Sequence, residues 1–468
     1  MTARITRSAC GLVLLSLLPL SSHAKTIAVG PGQTYQKPCQ AIAAAAAGDL
    51  IEVDAAGSYN GDTCGWTTDN LTLRGVNGRA KIDLTGVTPA QRKGIFAISA
   101  PTATIENFEL SGAAISAADG NNGAGIRHQG LNLTVRNCFF HDNQNGILGA
   151  PMTSQLGTVL IEGSEFASNG AGDGYSHNMY LGDYAKFTLQ GSYSHRGKVG
   201  HLVKSRAKEN YILYNRITDE AGGTASYEID LPNGGLSVVL GNLLEQSGTT
   251  QNPAILSYAA EGVTAGYDTR LFVVNNTFLN NRRSGTFVAN ATATPGVLRN
   301  NIFFNGGTVS AQASAEQTSN FVSATMGDPL FTDVATYDVR VRAGSPCIDT
   351  GTAAGSAGTQ SLTPSAHYVH PLAQQARQIV GSAIDIGAFE HGVLISPPDA
   401  GSSGGEDGGT GGGGGSTPGG CSCSVGHARP HGAESCVFWL ASLLSFAYLG
   451  RRRIVRKGRL VLRSARET

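Results

Sequence analysis

Amphipathic helical stretches are almost missing from this chain. After the run "CQAIAAAAAGD", Cys39 to Asp49, apolar residues hardly ever keep helical spacing for the length of a helix, which excludes a helical bundle and leaves that run as one short capping helix. Charge is scarce as well, at 15% of residues, and 34 basic side chains balance 34 acidic ones. The balance hides an asymmetry. Residues 1–24 carry two Arg and no acid, residues 421–468 carry nine Lys or Arg and two Glu, and residues 25–420 therefore hold a net charge of −9. So acidic a central region excludes general nucleic-acid binding. Closely spaced His or Cys pairs are lacking too, which disfavours a zinc centre built from His177, His201 and Glu228. Of eight cysteines only Cys39, Cys64, Cys138 and Cys347 fall inside 25–420. Cys39 and Cys64 are expected to pair in an oxidising compartment, and the other two to be buried thiols.

The two ends read as addresses. Arg4 and Arg7, an apolar run from Cys10 to Leu20 and small residues up to Ala24 have the order of a secretory signal peptide, 1–24. Residues 396–420, "SPPDAGSSGGEDGGTGGGGGSTPGG", are too poor in apolar side chains to fold and form a linker. Residues 421–468 run from Cys421 and Cys423 through an apolar stretch, Cys436 to Gly450, to an Arg cluster. Fifteen helical residues rise about 22 Å against about 30 Å of hydrocarbon, which makes this stretch marginal as a transmembrane helix. The order of features resembles the C-terminal sorting signals of myxobacterial surface proteins. That resemblance implies cleavage by a processing protease and anchoring of the folded part, 25–395, at the outer surface of the cell.

What fills 25–395 is a repeat. Segments such as "LTLRGV", "TIENFEL", "TVRNCFF", "ILYNRIT" and "VLRNNIFF" recur, with central residues 75, 107, 137, 163, 191, 215, 242, 276 and 300, at intervals of 24 to 34 residues. Short strands joined by Asn/Gly turns at such a period predict a solenoid whose stacked coils share one apolar column. A propeller needs about forty residues per blade. The stretches "GAGIRHQGLNLTVRNCFFHDNQNGIL" and "GDPLFTDVATYDVRVRAGSPCIDTGT", the latter running on to "SAIDIGAFE", resemble right-handed parallel β-helix proteins of the pectate-lyase-like superfamily. The fold expected is all-β, a single-domain right-handed parallel β-helix with a short N-terminal capping helix.

One stretch stands out electrostatically: "HLVKSRAKENYILYN", His201 to Asn215, places Lys204, Arg206 and Lys208 together in an acidic domain. Counting fourteen residues back from Gly191, Asn215 and Asn242 predicts that His177, His201 and Glu228 stack on successive coils, followed on the same outer face by Met179, Val203 and Asp230. Tyr180, Lys204 and Leu231 then face inward, so a turn after Val203 is expected to swing Lys204 and Arg206 out to solvent. Lys204, Ser205, Glu209, Asn210 and Asn215 also resemble the active-site region of polysaccharide lyase family six, the alginate lyase and chondroitinase B type. Glu228 stands where that family has its arginine. The match implies that Lys204 abstracts a proton from a uronate.

In such a β-elimination the carboxylate is neutralised, a base takes the C5 proton and an acid protonates the leaving oxygen. Lys204 and Arg206, with His201, His177 or Tyr227 as acid, are the catalytic candidates. Glu228, Asp230, Tyr180 and Lys208 are the substrate-binding candidates, and Glu228 with Asp230 could hold Ca²⁺. The expected partner is an acidic polysaccharide, and the expected state a monomer. A non-catalytic polysaccharide-binding or adhesive surface protein is the alternative, and a carboxylate-based hydrolase a third.

Overall fold

The computed structural model describes residues 24–394; the expected leader, the linker and the C-terminal cysteine/apolar/Arg segment lie outside the described residues. The described chain winds into three parallel sheets. Sheet I has twelve strands, from Thr26–Val29 to Glu316–Thr318; sheet II has ten, from Ala80–Asp83 to Phe321–Val322; sheet III has ten, from Cys64–Trp66 to Thr308–Ser310. Each coil passes from III to I to II, so every strand pairs with the strand one turn of the chain later. Sheet I strands alternate buried and half-exposed residues, because one face lines the interior and the other meets solvent.

The alternation builds the core. Ile51, Leu73, Ile105, Val135, Ile161, Leu189, Ile212, Val239, Val273 and Leu298 pair in register as one column, all with no solvent exposure. Burying each such side chain contributes about 1.5–3 kcal/mol before entropy is counted. Sheet II adds the stacked pairs Phe140–Phe166 and Phe278–Phe303.

A helix, Pro38–Ala44, covers the first coil with Ala41 and Ile42 buried. It is shorter than the Cys39–Asp49 run, since Ala45 already turns to extended backbone. Cys39 and Cys64 form a disulfide, and Cys138 and Cys347 are buried free thiols.

The turn between sheets I and II needs one left-handed residue per coil. Asn107, Asn137, Gly163, Gly191 and Asn300 occupy it, with φ between +50° and +61°. In three coils, however, the left-handed residue is Tyr214, Gly241 or Asn275, so the expected anchors Asn215, Asn242 and Asn276 fall one position later. There they build a ladder: Asn215 bonds to Asn242, Asn242 to Asn276, Asn276 to Asn301 and Asn301 to Asn320, each amide N to Oδ1 at 2.9–3.0 Å. Eight of the nine repeat residues thus form two adjacent columns rather than the one expected, and the ninth, Gly75, lies within the strand Leu71–Val76, ahead of a turn in which Asn77 and Gly78 are left-handed.

After the last coil, three antiparallel hairpins, the first pairing Phe331–Asp333 with Asp338–Val341, pack back on the flank of the solenoid: the apolar outer residues Leu243, Leu279 and Ile302 of sheet II meet Val339, Val341 and Ile386, and Tyr211, Tyr214 and Val238 of the sheet I side meet Ala354, Ala357 and Leu362. No helix among the described residues is long and apolar enough to cross a membrane.

Candidate functional site

The basic cluster lies on the outer face of sheet III. Val203–Ser205 is a regular strand: Val203 pairs with Ile229, and Lys204 pairs with Tyr180 on one side and Asp230 on the other. No turn follows Val203. Lys204 reaches the outer face by ordinary alternation, and the inward residues are Met179, Val203 and Ile229, all fully buried. The expected faces of Met179, Val203, Tyr180 and Lys204 were therefore inverted, while Asp230 was placed correctly. Continued one step, the register sets His201 beside His177 and Tyr227, and Glu228 beside Leu202. The slip has a physical cause. From Ser205 to Glu209 the connector into sheet I is one residue shorter than from Leu231 to Leu236, so a fixed offset from the turn cannot hold across both coils.

Glu228 accordingly leaves the site. Its side chain is wholly buried, both carboxylate oxygens lack a hydrogen-bond partner among the described residues, and burial, together with the charges of Asp219 and Glu245, raises its pKa well above the usual range. Asp230 is on the outer face, so Glu228 and Asp230 do not form the expected Ca²⁺ pair, and no cluster of three or more possible metal ligands occurs among the described residues.

What the fold does bring together is compact. Lys204 Nζ lies 3.1 Å from Asp230 Oδ2 and 3.5 Å from Glu261 Oε1, and it faces the Tyr180 ring. Arg206 donates from Nε to Tyr180 Oη at 2.7 Å, from Nη2 to Glu261 Oε2 at 2.7 Å, and from Nη1 to Asn233. His201 Nε2 approaches Asp230 Oδ2 at 3.4 Å; its ring stacks on His177 at 4.5 Å and leans on Tyr227 at 5.1 Å. His177 Nδ1 accepts the His201 backbone N–H. Burial, with Lys204 beside it, lowers His177 to about 3, and burial with His177 lowers His201 well below its usual value. Both rings are neutral at physiological pH, which makes them poor general acids. Burial raises Asp230 despite its ion pair with Lys204.

Lys208 is exposed and makes no ion pair among the described residues. Asn210 and Asn215 are buried structural groups, and Ser205 Oγ accepts the Ala207 N–H from inside the coil. Sequence reasoning missed Glu261 and Asn233. Glu261 stands 57 residues from Lys204, and only the stacking of coils joins them. Beside the cluster, Tyr180 and Arg206 also line a cavity of about 260 Å³ with Leu148, Pro151 and Asp183.

The chain is similar to known β-helix proteins. A family model described as a right handed beta helix region matches residues 58–223. Pectate lyase Pel9A shares the fold with a TM-score of 0.55 at 17% identity, over 80% of this chain and 97% of that one. An alginate lyase from a Paenibacillus species aligns over 64% of this chain and 99% of that one, at 12% identity and a TM-score of 0.31. No curated protein matches. The chain is a right-handed parallel β-helix.

Proposed function

We propose that this protein acts on an acidic polysaccharide by β-elimination, at the cluster of Lys204, Arg206, Tyr180 and Asp230. The observation that carries the proposal is the Glu261 carboxylate, half-exposed and clasped by Lys204 and Arg206 together. It marks a carboxylate site that opens to solvent, and a uronate's carboxylate has the charge and geometry to displace it. The likeness of fold to pectate lyase Pel9A supports the same reading.

With the substrate carboxylate on Arg206, the C5 proton becomes acidic. Asp230, 3.1 Å from Lys204 Nζ, is the nearest acceptor for the proton that Lys204 gives up to become an amine. That amine removes the C5 proton, the C–H electron pair becomes the C4=C5 double bond, and the C4–O glycosidic bond breaks. Tyr180, whose oxygen accepts the Arg206 Nε–H, gives its hydroxyl proton to the leaving oxygen.

The rival reading, a non-catalytic binding surface, draws on the same ion pairs, because they satisfy Lys204 without substrate. The leader-like and sorting-like termini support export and anchoring at the cell surface. Native-gel retardation by polygalacturonate, alginate and their carboxyl-reduced forms tests the site. Salt-sensitive retardation by the acidic polymers, lost in Arg206→Ala, is expected; equal retardation by the neutral forms overturns it.

A further inference from the structure

A second cavity, also of about 260 Å³, lies on sheet II, on a different face of the solenoid from the Lys204 cluster. It opens where the C-terminal hairpins end, so that Arg216 and Leu243 of sheet II face Tyr337, Tyr368, His370 and Phe389. The groups on its walls are arranged with some care. Arg216 is sandwiched between the rings of Tyr193 and Tyr337, at 4.8 and 4.5 Å, while its Nη2 pairs with Glu220 at 3.0 Å and its Nε donates to Thr218. Its Nη1 makes no hydrogen bond among the described residues and remains a donor. Tyr337 holds its place with φ +62°, a left-handed conformation unusual for a bulky residue and kept only where the surroundings enforce it.

The opposite wall supplies an acceptor. The Tyr368 hydroxyl donates to the Pro371 carbonyl at 2.6 Å, so its oxygen accepts a hydrogen bond from His370 Nδ1–H at 3.1 Å. That fixes the tautomer and leaves His370 Nε2 as a lone pair. Partial desolvation of the ring, then the neighbouring Arg216, lowers the His370 pKa and so favours this neutral form. The charges of the cavity are already compensated: Glu220 pairs with Arg216 and Asp338 with Arg340. A donor and an acceptor beside flat aromatic walls, with no charge left over, match the adjacent hydroxyls and the apolar ring face of an uncharged sugar.

We infer that this cavity is a second carbohydrate site, which takes one neutral pyranose unit independently of the Lys204 cluster. Saturation-transfer NMR with the methyl glycosides of glucose, galactose, mannose and xylose tests it, with irradiation of the protein's aromatic protons. Transfer to the ring C–H protons of at least one glycoside is expected from the wild type. Tyr337→Gly removes a wall while glycine adopts the same φ without cost, and it is expected to weaken binding about tenfold, the loss of one well-placed ring contact. His370→Ala, at an exposed position, is expected to weaken it as well. A variant carrying Lys204→Met and Arg206→Ala together is expected to bind these neutral glycosides as the wild type does, whatever becomes of acidic polymers. Absence of transfer in the wild type, equal transfer in Tyr337→Gly, or loss in the Lys204/Arg206 variant overturns the inference.

Discussion

Lys204 and Asp230 are partners on adjacent rungs of sheet III, and Nζ stands 3.1 Å from Oδ2. Two roles follow from one contact, since the carboxylate holds the ammonium in place and is also the nearest group able to accept its proton. Asp230→Asn keeps the shape and removes that acceptor. It is expected to lower kcat for polyuronate cleavage about 100-fold or more, the range of a lost general-base element, with KM little changed. A variant as active as the wild type at neutral pH contradicts the relay.

Glu261 competes with substrate for Lys204 and Arg206. Glu261→Gln removes the competing charge and should tighten binding of an acidic oligosaccharide about two- to fivefold, in keeping with the modest worth of a half-exposed ion pair. Isothermal titration at low salt reads the change, and weaker binding would show that Glu261 helps to hold the ligand.

The buried Glu228 gives the fold a pH dependence. Its folded pKa is raised, first by burial and then by Asp219 and Glu245, and that of Asp219 is raised to about 7 for the same leading reason. Groups shifted upward in the folded state contribute stability that is complete below their unfolded values, near 4, and lost as pH rises through the folded ones. These two groups should therefore cost the protein stability progressively from about pH 4 to about pH 7 and beyond. Glu228→Gln should raise the melting temperature at pH 8 by several degrees and flatten that decline.

The disulfide Cys39–Cys64 closes a loop with a sequence separation of 25 over the first coil. Chain-entropy arithmetic for a loop of this size gives about 3.5 kcal/mol, and denaturant unfolding of the Cys39→Ser/Cys64→Ser protein should show a loss of that order.

The solenoid was legible because its cause is local and repeated: an apolar pair, a polar residue and an Asn or Gly, coil after coil. The disulfide was legible from compartment and count. The site was legible only in outline. The charge of Lys204 and Arg206 drew attention to the right strand, and His177 and His201 do stack. Yet one missing residue in the connector before Glu209 put Glu228 out of line with His177 and His201, and a strand's period of two turned that slip into inverted faces for Met179, Val203, Tyr180 and Lys204. Glu261 carried no signal at all, because its loop meets Lys204 and Arg206 only after the coils have stacked. Tyr214 hid the left-handed column for a related reason, since the sequence pattern points to the Asn beside it.

The central claim is that Lys204 removes a proton from a bound uronate. The most direct measurement is the ultraviolet absorbance of unsaturated uronate released from polygalacturonate, alginate and chondroitin sulfate by the wild type and by Lys204→Met, with gel retardation run on both. The account predicts product from the wild type on at least one polymer, and a rate at least about 1,000-fold lower from Lys204→Met, with retardation retained. Product formed equally by both, or retardation by acidic polymers with no product from the wild type, contradicts it.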